Sequence, residues 1–303
     1  MTSSPRSKGP SEGRSSGPNG HGSARRVALE DVTVSFRGSA ALGGVTLSVE
    51  PGERLAVVGA SGAGKTTLFR ALTREIPLDG GRIAIGDRDL YALSERELKG
   101  LRRRIGSIYQ AYNLVPQLTA GINAALGEVG GMGALGTLRT FLAGPDAALA
   151  SRVAEALERV GLGDEIRTRT ADLSGGQQQR VAVARLLVQH PDLILADEPF
   201  AAVDPVTTGR VYEALLQLNR EGSTLMVNLH DVRLARRFPR IVALREGRVA
   251  FDGPPERLSD EALNEIYGGD DPHREVARPE PRGAGRPEEP IPLAEGRDGV
   301  SSH

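Results

Sequence analysis

"RLAVVGASGAGKTT", Arg54 to Thr67, is the stretch on which the fold turns. Its first part is a short apolar run after a Pro-Gly-Glu turn at 51–53, the pattern of a buried strand. Its second part, Gly59-x4-Gly64-Lys65-Thr66, has the spacing of a phosphate-binding loop between a strand and a helix. Glycines let such a loop wrap closely and aim backbone N–H groups at phosphate oxygens. Gly59, Ala60, Ser61, Gly62, Ala63, Gly64 and Thr67 are therefore expected around the phosphates. Lys65 would reach the terminal phosphates, and the Thr66 hydroxyl would hold Mg²⁺. A helix should begin near Lys65. Two rival glycine motifs fail: a nucleophile elbow needs glycine where Ala63 stands, and G-x-G-x-x-G is not matched.

Upstream, "VALEDVTVSF" and "GVTLSVE" alternate apolar and polar residues as half-buried strands do, on either side of a turn-rich connection "RGSAALG". Downstream, "GRIAIGDRDL" predicts a strand with its turn, Ser94 and Glu97 have capping-box spacing, and "GSIYQ" is a short strand. Residues 113–172 hold no convincing strand, and "DAALASRVAEALERVGL" is an amphipathic helix ending at Gly161. "QQQRVAVARLLVQHPD" is a helix stopped by Pro191. "LILADEP" and "STLMVNLHD" are strands, the first ending in two carboxylates and the second in His230. "RIVALREGRVAFDG" is a hairpin turning at Glu246–Gly247, and "LSDEALNEIYG" is a last short helix. Alternating strands and helices imply an α/β protein with a largely parallel sheet, an antiparallel part at the start and an inserted helical block.

The chain has 303 residues and a formal charge of −1, which argues against a nucleic-acid footprint. Residues 1–24 and 269–303 are too poor in apolar side chains to offset ordering entropy and are expected to be disordered tails around a domain at 25–268. No cysteine is present, which excludes disulfides and thiolate metal sites, and the five histidines form no ligand pair. The N-terminus lacks the apolar segment of a secretory signal. The stretch 111–138 is the nearest to a membrane span, but Asn113, Pro116, Gln117, Asn123, Glu128 and several glycines break it. A soluble, cytoplasmic protein that docks on a partner is the expectation.

Other residues add chemistry. Asp197 and Glu198 end an apolar strand, where ligands bind in open α/β sheets. Asp197 suits the Mg²⁺ side of a phosphate-loop enzyme, and Glu198 could take a proton from attacking water. His230 is expected at the same sheet edge, and the Gln110 amide could ligate Mg²⁺ or water. "LSGGQQQR", Leu173 to Arg180, is a second phosphate-facing helix start, with Ser174 as N-cap before Gly175, Gly176 and Gln177.

Together these residues resemble the ATP-binding-cassette ATPases over roughly residues 27–268. "GASGAGKTT" resembles the Walker A motif, "LILADE" the Walker B motif with its catalytic glutamate, and "LSGGQ" the family signature. Gln110 resembles the Q-loop glutamine, "AAVD" at 201–204 the D-loop, and His230 the switch histidine. The commoner D-loop is "SLD", so Ala202-Val203-Asp204 is a departure. Phe36 stands where the family often stacks an aromatic on adenine. The resemblance implies a phosphate-loop cassette with a mixed RecA-like sheet core, an N-terminal antiparallel part and a helical subdomain at about 111–180. It implies ATP and Mg²⁺ as ligands and a head-to-tail dimer. Each ATP then lies between the Walker motifs of one cassette and Ser174 to Gln177 of the other, with Asp204 beside it.

A finer resemblance is to phosphonate-import ATPases, through "QAYNLVPQLT", "VNLHDVRLA" and "GRVAFDGPPERLSDEALNEIYG". "GINAALGEVGGMGALGTL" departs from that pattern. The resemblance implies an energising subunit on the cytoplasmic face of the membrane. Its partners would be membrane permease subunits and, indirectly, a solute-binding protein, with no nucleic acid. Three other readings remain open on sequence: a cassette ATPase acting on nucleic acid or ribosomes, a transporter ATPase with another substrate, and a phosphate-loop kinase, which leaves "LSGGQ" unexplained.

Overall fold

The structure is a computed structural model that describes residues 24–109, 113–129, 140, 144–200 and 204–267. The tails expected at 1–24 and 269–303 fall outside the described residues apart from Ala24.

Two sheets share one core. The first is antiparallel, in the order β2-β1-β4-β5, with β1 Val27–Phe36, β2 Ser39–Val49, β4 Gly80–Ile85 and β5 Arg88–Asp89. The second has the order β10-β9-β3-β8-β7-β6, made by β3 Arg54–Val58, β6 Ile105–Ile108, β7 Leu193–Asp197, β8 Thr224–Asn228, β9 Ile241–Arg245 and β10 Arg248–Gly253. It is parallel except for the hairpin strand β10.

The strand RLAVV lies inside the second sheet, and Leu55 to Val58 are fully buried. Side chains alternate across a strand. Leu55 and Val57 accordingly join Val27, Leu29, Leu47 and Ile83 of the first sheet in one core, and helix α1, Lys65–Leu72, adds Leu68 and Leu72. Ala56 and Val58 face the other way, into a core closed by helices. Burial on both faces explains why β3, β7 and β8 read as unbroken apolar runs.

The helices around this sheet are α2 Glu95–Arg102, α3 Ala120–Val129, α4 Ala147–Arg159, α5 Gly175–Gln189, α6 Pro205–Arg220, α7 Val232–Ala235 and α8 Asp260–Tyr267. Helices α3, α4 and α5 pack on one another between β6 and β7. This is the helical block expected in the middle of the chain. The only strand-like pairing described there is a single bridge, Thr119 to Arg169. The polar residues that break the apolar stretch have structural work: buried Asn123 accepts from Val115 N at 2.8 Å and donates to Thr170 Oγ1 at 3.0 Å. None of the described helices is long and apolar enough to cross a membrane.

Three boundaries differ from the sequence reading. The connection "RGSAALG" is mostly strand: β2 starts at Ser39, so only Arg37 and Gly38 turn, both at positive φ. β8 ends at Asn228, two residues before His230, and β7 ends at Asp197, before Glu198. The α5 helix ends at Gln189 with His190 as its C-cap in the left-handed region at φ 50°, so it stops at Pro191 as expected. The residue before a proline is biased away from helical backbone, so His190 takes the stop.

Candidate nucleotide site

The loop after β3 is shaped by close backbone approach. Gly59 has φ 146°, and a Cβ there would lie 2.2 Å from the Leu244 carbonyl oxygen. Gly64 has φ 102°, and a Cβ there would lie 2.5 Å from the Ala41 carbonyl oxygen. These positions accept only glycine without distortion. Gly64 is also the N-cap of α1, and no side chain caps this helix. Its first-turn N–H groups therefore face the loop without a side-chain acceptor, the usual form of a phosphate site.

Lys65 is buried, and its ammonium donates to the Gly59 carbonyl at 2.7 Å and the Ala60 carbonyl at 3.0 Å. Burial lowers its pKa, while the negative charges of Glu198 and Asp197 oppose that shift. The loop thus holds a cation that has shed part of its hydration and gains by meeting an anion.

Parallel pairing brings the acidic residues to the same level. Val57 pairs with Asn228, and Asn228 pairs with Asp197 across β3, β8 and β7. Asp197 is buried and accepts from the Asn228 amide. Glu198 leaves the strand in the left-handed region at φ 53°, with its N–H donating to the Asn228 carbonyl at 3.1 Å. That turn swings its carboxylate away from Asp197 and onto His230, with Nε2 and Oε1 2.6 Å apart. The Leu229 N–H donates to the Val57 carbonyl at 2.9 Å, fixing the exit that carries His230 beside the loop.

Ser61 to Thr67, Glu198, Asn228 and His230, with Ala41, line a cleft of about 190 Å³. A cation, a carboxylate–imidazole pair and free helix N–H groups can bind a polyphosphate and accept a proton from water beside it. The Thr66 hydroxyl and Asp197 carboxylate are hard oxygen donors, which suit Mg²⁺. Among the described residues no group of three His, Cys, Asp or Glu could hold a metal by itself, so such an ion would complete its shell from phosphate and water.

Ser174 to Gln177 do not line this cleft. They form a separate helix start: the Ser174 hydroxyl accepts from Gln177 N at 3.3 Å, and Gln177 Oε1 accepts from Ser174 N at 2.9 Å. Asp204 caps α6, accepting from Val206 N, Thr207 N and the Thr207 hydroxyl at 2.9, 3.0 and 2.6 Å. Phe36 ends β1 with 43% of its surface exposed, apart from the cleft lining. Gln110, Ala202 and Val203 lie outside the described residues. Asn228 was not expected from sequence, although a polar residue ending the apolar run "TLMVN" was a signal for it.

A phosphate loop on a central parallel strand, with an acid, a base and a histidine at neighbouring strand ends, defines a nucleotide-binding α/β protein. The chain belongs to the ABC transporter family, whose pattern matches residues 42–201. It is 45% identical over 245 residues to phosphonates import ATP-binding protein PhnC 1 of Halalkalibacterium halodurans, covering 80% of this chain and 94% of that one. It is also 45% identical over 237 residues to the PhnC protein of Alcaligenes faecalis, covering 77% and 84%. The fold is similar to the dimeric structure of the ATP-binding cassette MJ0796 in a post-hydrolysis state with ADP and Pi. That match has a TM-score of 0.68 and 32% identity, covering 76% of this chain and 98% of the other.

Proposed function

We propose that this chain is the ATP-hydrolysing, energy-coupling subunit of an importer for phosphonates or related organophosphorus compounds. The Glu198–His230 contact at the lip of the phosphate-loop cleft carries the ATPase reading, because it sets a proton acceptor beside the site of the terminal phosphate. The names of the phosphonate-import relatives support the substrate class.

The loop from Gly59 to Thr67 would wrap the ATP phosphates, with Ser61 to Thr67 lining the cleft and Lys65 neutralising their charge. Thr66 and Asp197 would hold Mg²⁺, and Gln110, outside the described residues, is the further ligand the resemblance implies. Mg²⁺ when bound supplies charge stabilisation at the phosphoryl oxygens. Glu198 takes the proton of the attacking water, and His230 orients that carboxylate. Phe36 stacks on adenine. Ser174, Gly175, Gly176 and Gln177 act on the nucleotide of a second cassette, which explains why they stand outside the cleft of their own chain. Two copies pack head to tail, and Asp204 lies at their junction.

A groove of about 580 Å³ is the docking surface for a membrane permease. Lys99, Arg102, Arg103 and Arg185 line it with Tyr109 and Leu126, the last from the weakly charged stretch at 111–138. The subunit would sit peripherally on the cytoplasmic face, with a solute-binding protein acting indirectly.

The test is reconstitution with a phosphonate permease and its solute-binding protein. Phosphonate should stimulate ATP hydrolysis and drive uptake; an ATPase indifferent to phosphonate but responsive to another solute would reject the substrate class. Glu198→Gln should bind ATP, trap a dimer and lose at least about a hundredfold in turnover, the usual worth of a general base. Full turnover in that variant would reject the base.

A further inference from the structure

Gln179 is a buried polar side chain that the site described above does not use. It sits on α5, five residues beyond Ser174, and only 1% of its surface is exposed. Around it on the same helix, Val181, Ala182, Val183 and Ala184 are all buried and apolar. An amide in such surroundings carries a desolvation cost unless its groups are paired. Its Nε2 donates to the carbonyl oxygen of Pro199. Its Oε1 has no partner among the described residues. A helix that only needed packing here would carry leucine or methionine.

The acceptor explains the placement. Pro199 follows Glu198, whose φ of 53° is an uncommon conformation for a residue with a side chain. Such a conformation persists only where the surroundings hold it. Three contacts hold this turn. The Glu198 N–H is fixed by Asn228 of β8, the Glu198 carboxylate meets His230, and the next carbonyl is fixed by Gln179. The first two come from the sheet edge. The third comes from the helix that begins with Ser174-Gly175-Gly176.

We infer that Gln179 is a positioning residue: it holds the Pro199 carbonyl, and so the Glu198 turn, and ties that turn to the glycine-rich start of α5. This rests on Glu198 being the base and on Ser174 to Gln177 serving the other cassette's nucleotide. One rigid helix then joins the two sites, because five residues of α helix span about 7 Å. Engagement of the helix start by one nucleotide fixes the base aimed at the other.

The experiment uses the full chain with Gln179→Leu and Gln179→Glu, each in the parent and in the Glu198→Gln background. Turnover, ATP affinity, melting temperature and the lifetime of the ATP-bound dimer are measured. Gln179→Leu should lower kcat about ten- to a hundredfold, the scale expected when a reacting group is misplaced by about 1 Å. KM for ATP should stay within about twofold, and the ATP-bound dimer should outlive that of the parent. In the Glu198→Gln background, single-turnover hydrolysis should show no further loss, because residues acting as a unit are not additive. Gln179→Glu keeps the volume but cannot donate when ionised. Its turnover relative to the parent should rise as pH falls and the carboxyl becomes a donor. Should the leucine variant not fold, the glutamate variant carries the same comparison.

Equal losses in both backgrounds would reduce Gln179 to general packing and overturn the inference. So would parent-like turnover in Gln179→Leu while Glu198→Gln is inactive, which leaves the base intact. An active Glu198→Gln would instead overturn the base itself.

Discussion

Among the described glycines Gly59 has the closest backbone neighbour, because a Cβ there would lie 2.2 Å from the Leu244 carbonyl oxygen. Gly59→Ala should cost about 1–3 kcal/mol in denaturant unfolding and weaken ATP binding, since the strained loop must shift to admit a methyl group. Unchanged stability and affinity would show that the loop relaxes freely. Lys65 gives a proton-linked prediction. Burial puts its folded pKa below the unfolded 10.5, with Glu198 and Asp197 opposing. Between those two values the unfolded chain binds more protons, so this group's contribution to stability rises with pH across that window. Nucleotide phosphates favour the charged amine and raise its pKa again. ATP binding in that alkaline window should therefore take up protons, seen by calorimetry in buffers of different ionisation enthalpy. Equal heats in all buffers would reject the linkage. The loop placement of Gly59, Lys65 and Thr66 was legible in the sequence because their spacing lies within one continuous stretch between a strand and a helix. Asn228 and Gln179 were not, because each matters through a partner about thirty or twenty residues away, across strands or between a helix and a loop.

At the scale of elements, the N-terminus of α5 is a reciprocal cap built by Ser174 and Gln177. Ser174→Ala should destabilise the chain by about 1 kcal/mol, the usual worth of an N-cap, and should lower turnover far more than ATP affinity. A loss of affinity equal to the loss of turnover would place Ser174 on its own chain's nucleotide. A second element-level feature joins the two sheets. Arg240 donates to both Asp252 carboxylate oxygens at 2.6 and 2.7 Å, to Glu53 at 2.9 Å and to the Ser48 carbonyl at 2.9 Å. These bonds raise its pKa, the paired carboxylate of Asp252 first. Arg240→Lys keeps the charge but loses the planar fork, and should cost about 1–2 kcal/mol in denaturant unfolding with ATP affinity unchanged. Most elements were readable from periodicity. The exception is instructive: apart from Leu42, Ser39 to Gly44 are small residues with little strand character, yet they belong to a strand that pairs with β1 through a ladder interrupted by register shifts. Tertiary hydrogen bonding overrode local preference there. The cap at His190 shows the reverse, a stop set by the local signal of the proline that follows it.

For the whole molecule, the separation of Ser174 to Gln177 from the cleft lined by Ser61 to Thr67 supports the proposed head-to-tail assembly. The motif order along the chain was legible, and the resemblance implied that the two phosphate-facing helix starts serve different cassettes; the fold adds that Ser174 to Gln177 stand apart from the cleft of their own chain. If each site is shared, turnover per chain should rise with protein concentration as monomers pair. Mixing gives the stricter test. A Lys65→Ala chain lacks the phosphate-loop half of a site, and a Ser174→Arg chain lacks the signature half; each alone should be nearly inactive. In a mixed head-to-tail dimer both lesions fall on one site, and the other site is built from the intact halves of the two chains. Random pairing of equal amounts makes about half the dimers mixed with one good site of two, so turnover should recover to about a quarter of the parent. No recovery, with mixed dimers verified by differential tagging, would mean that each chain completes its own site.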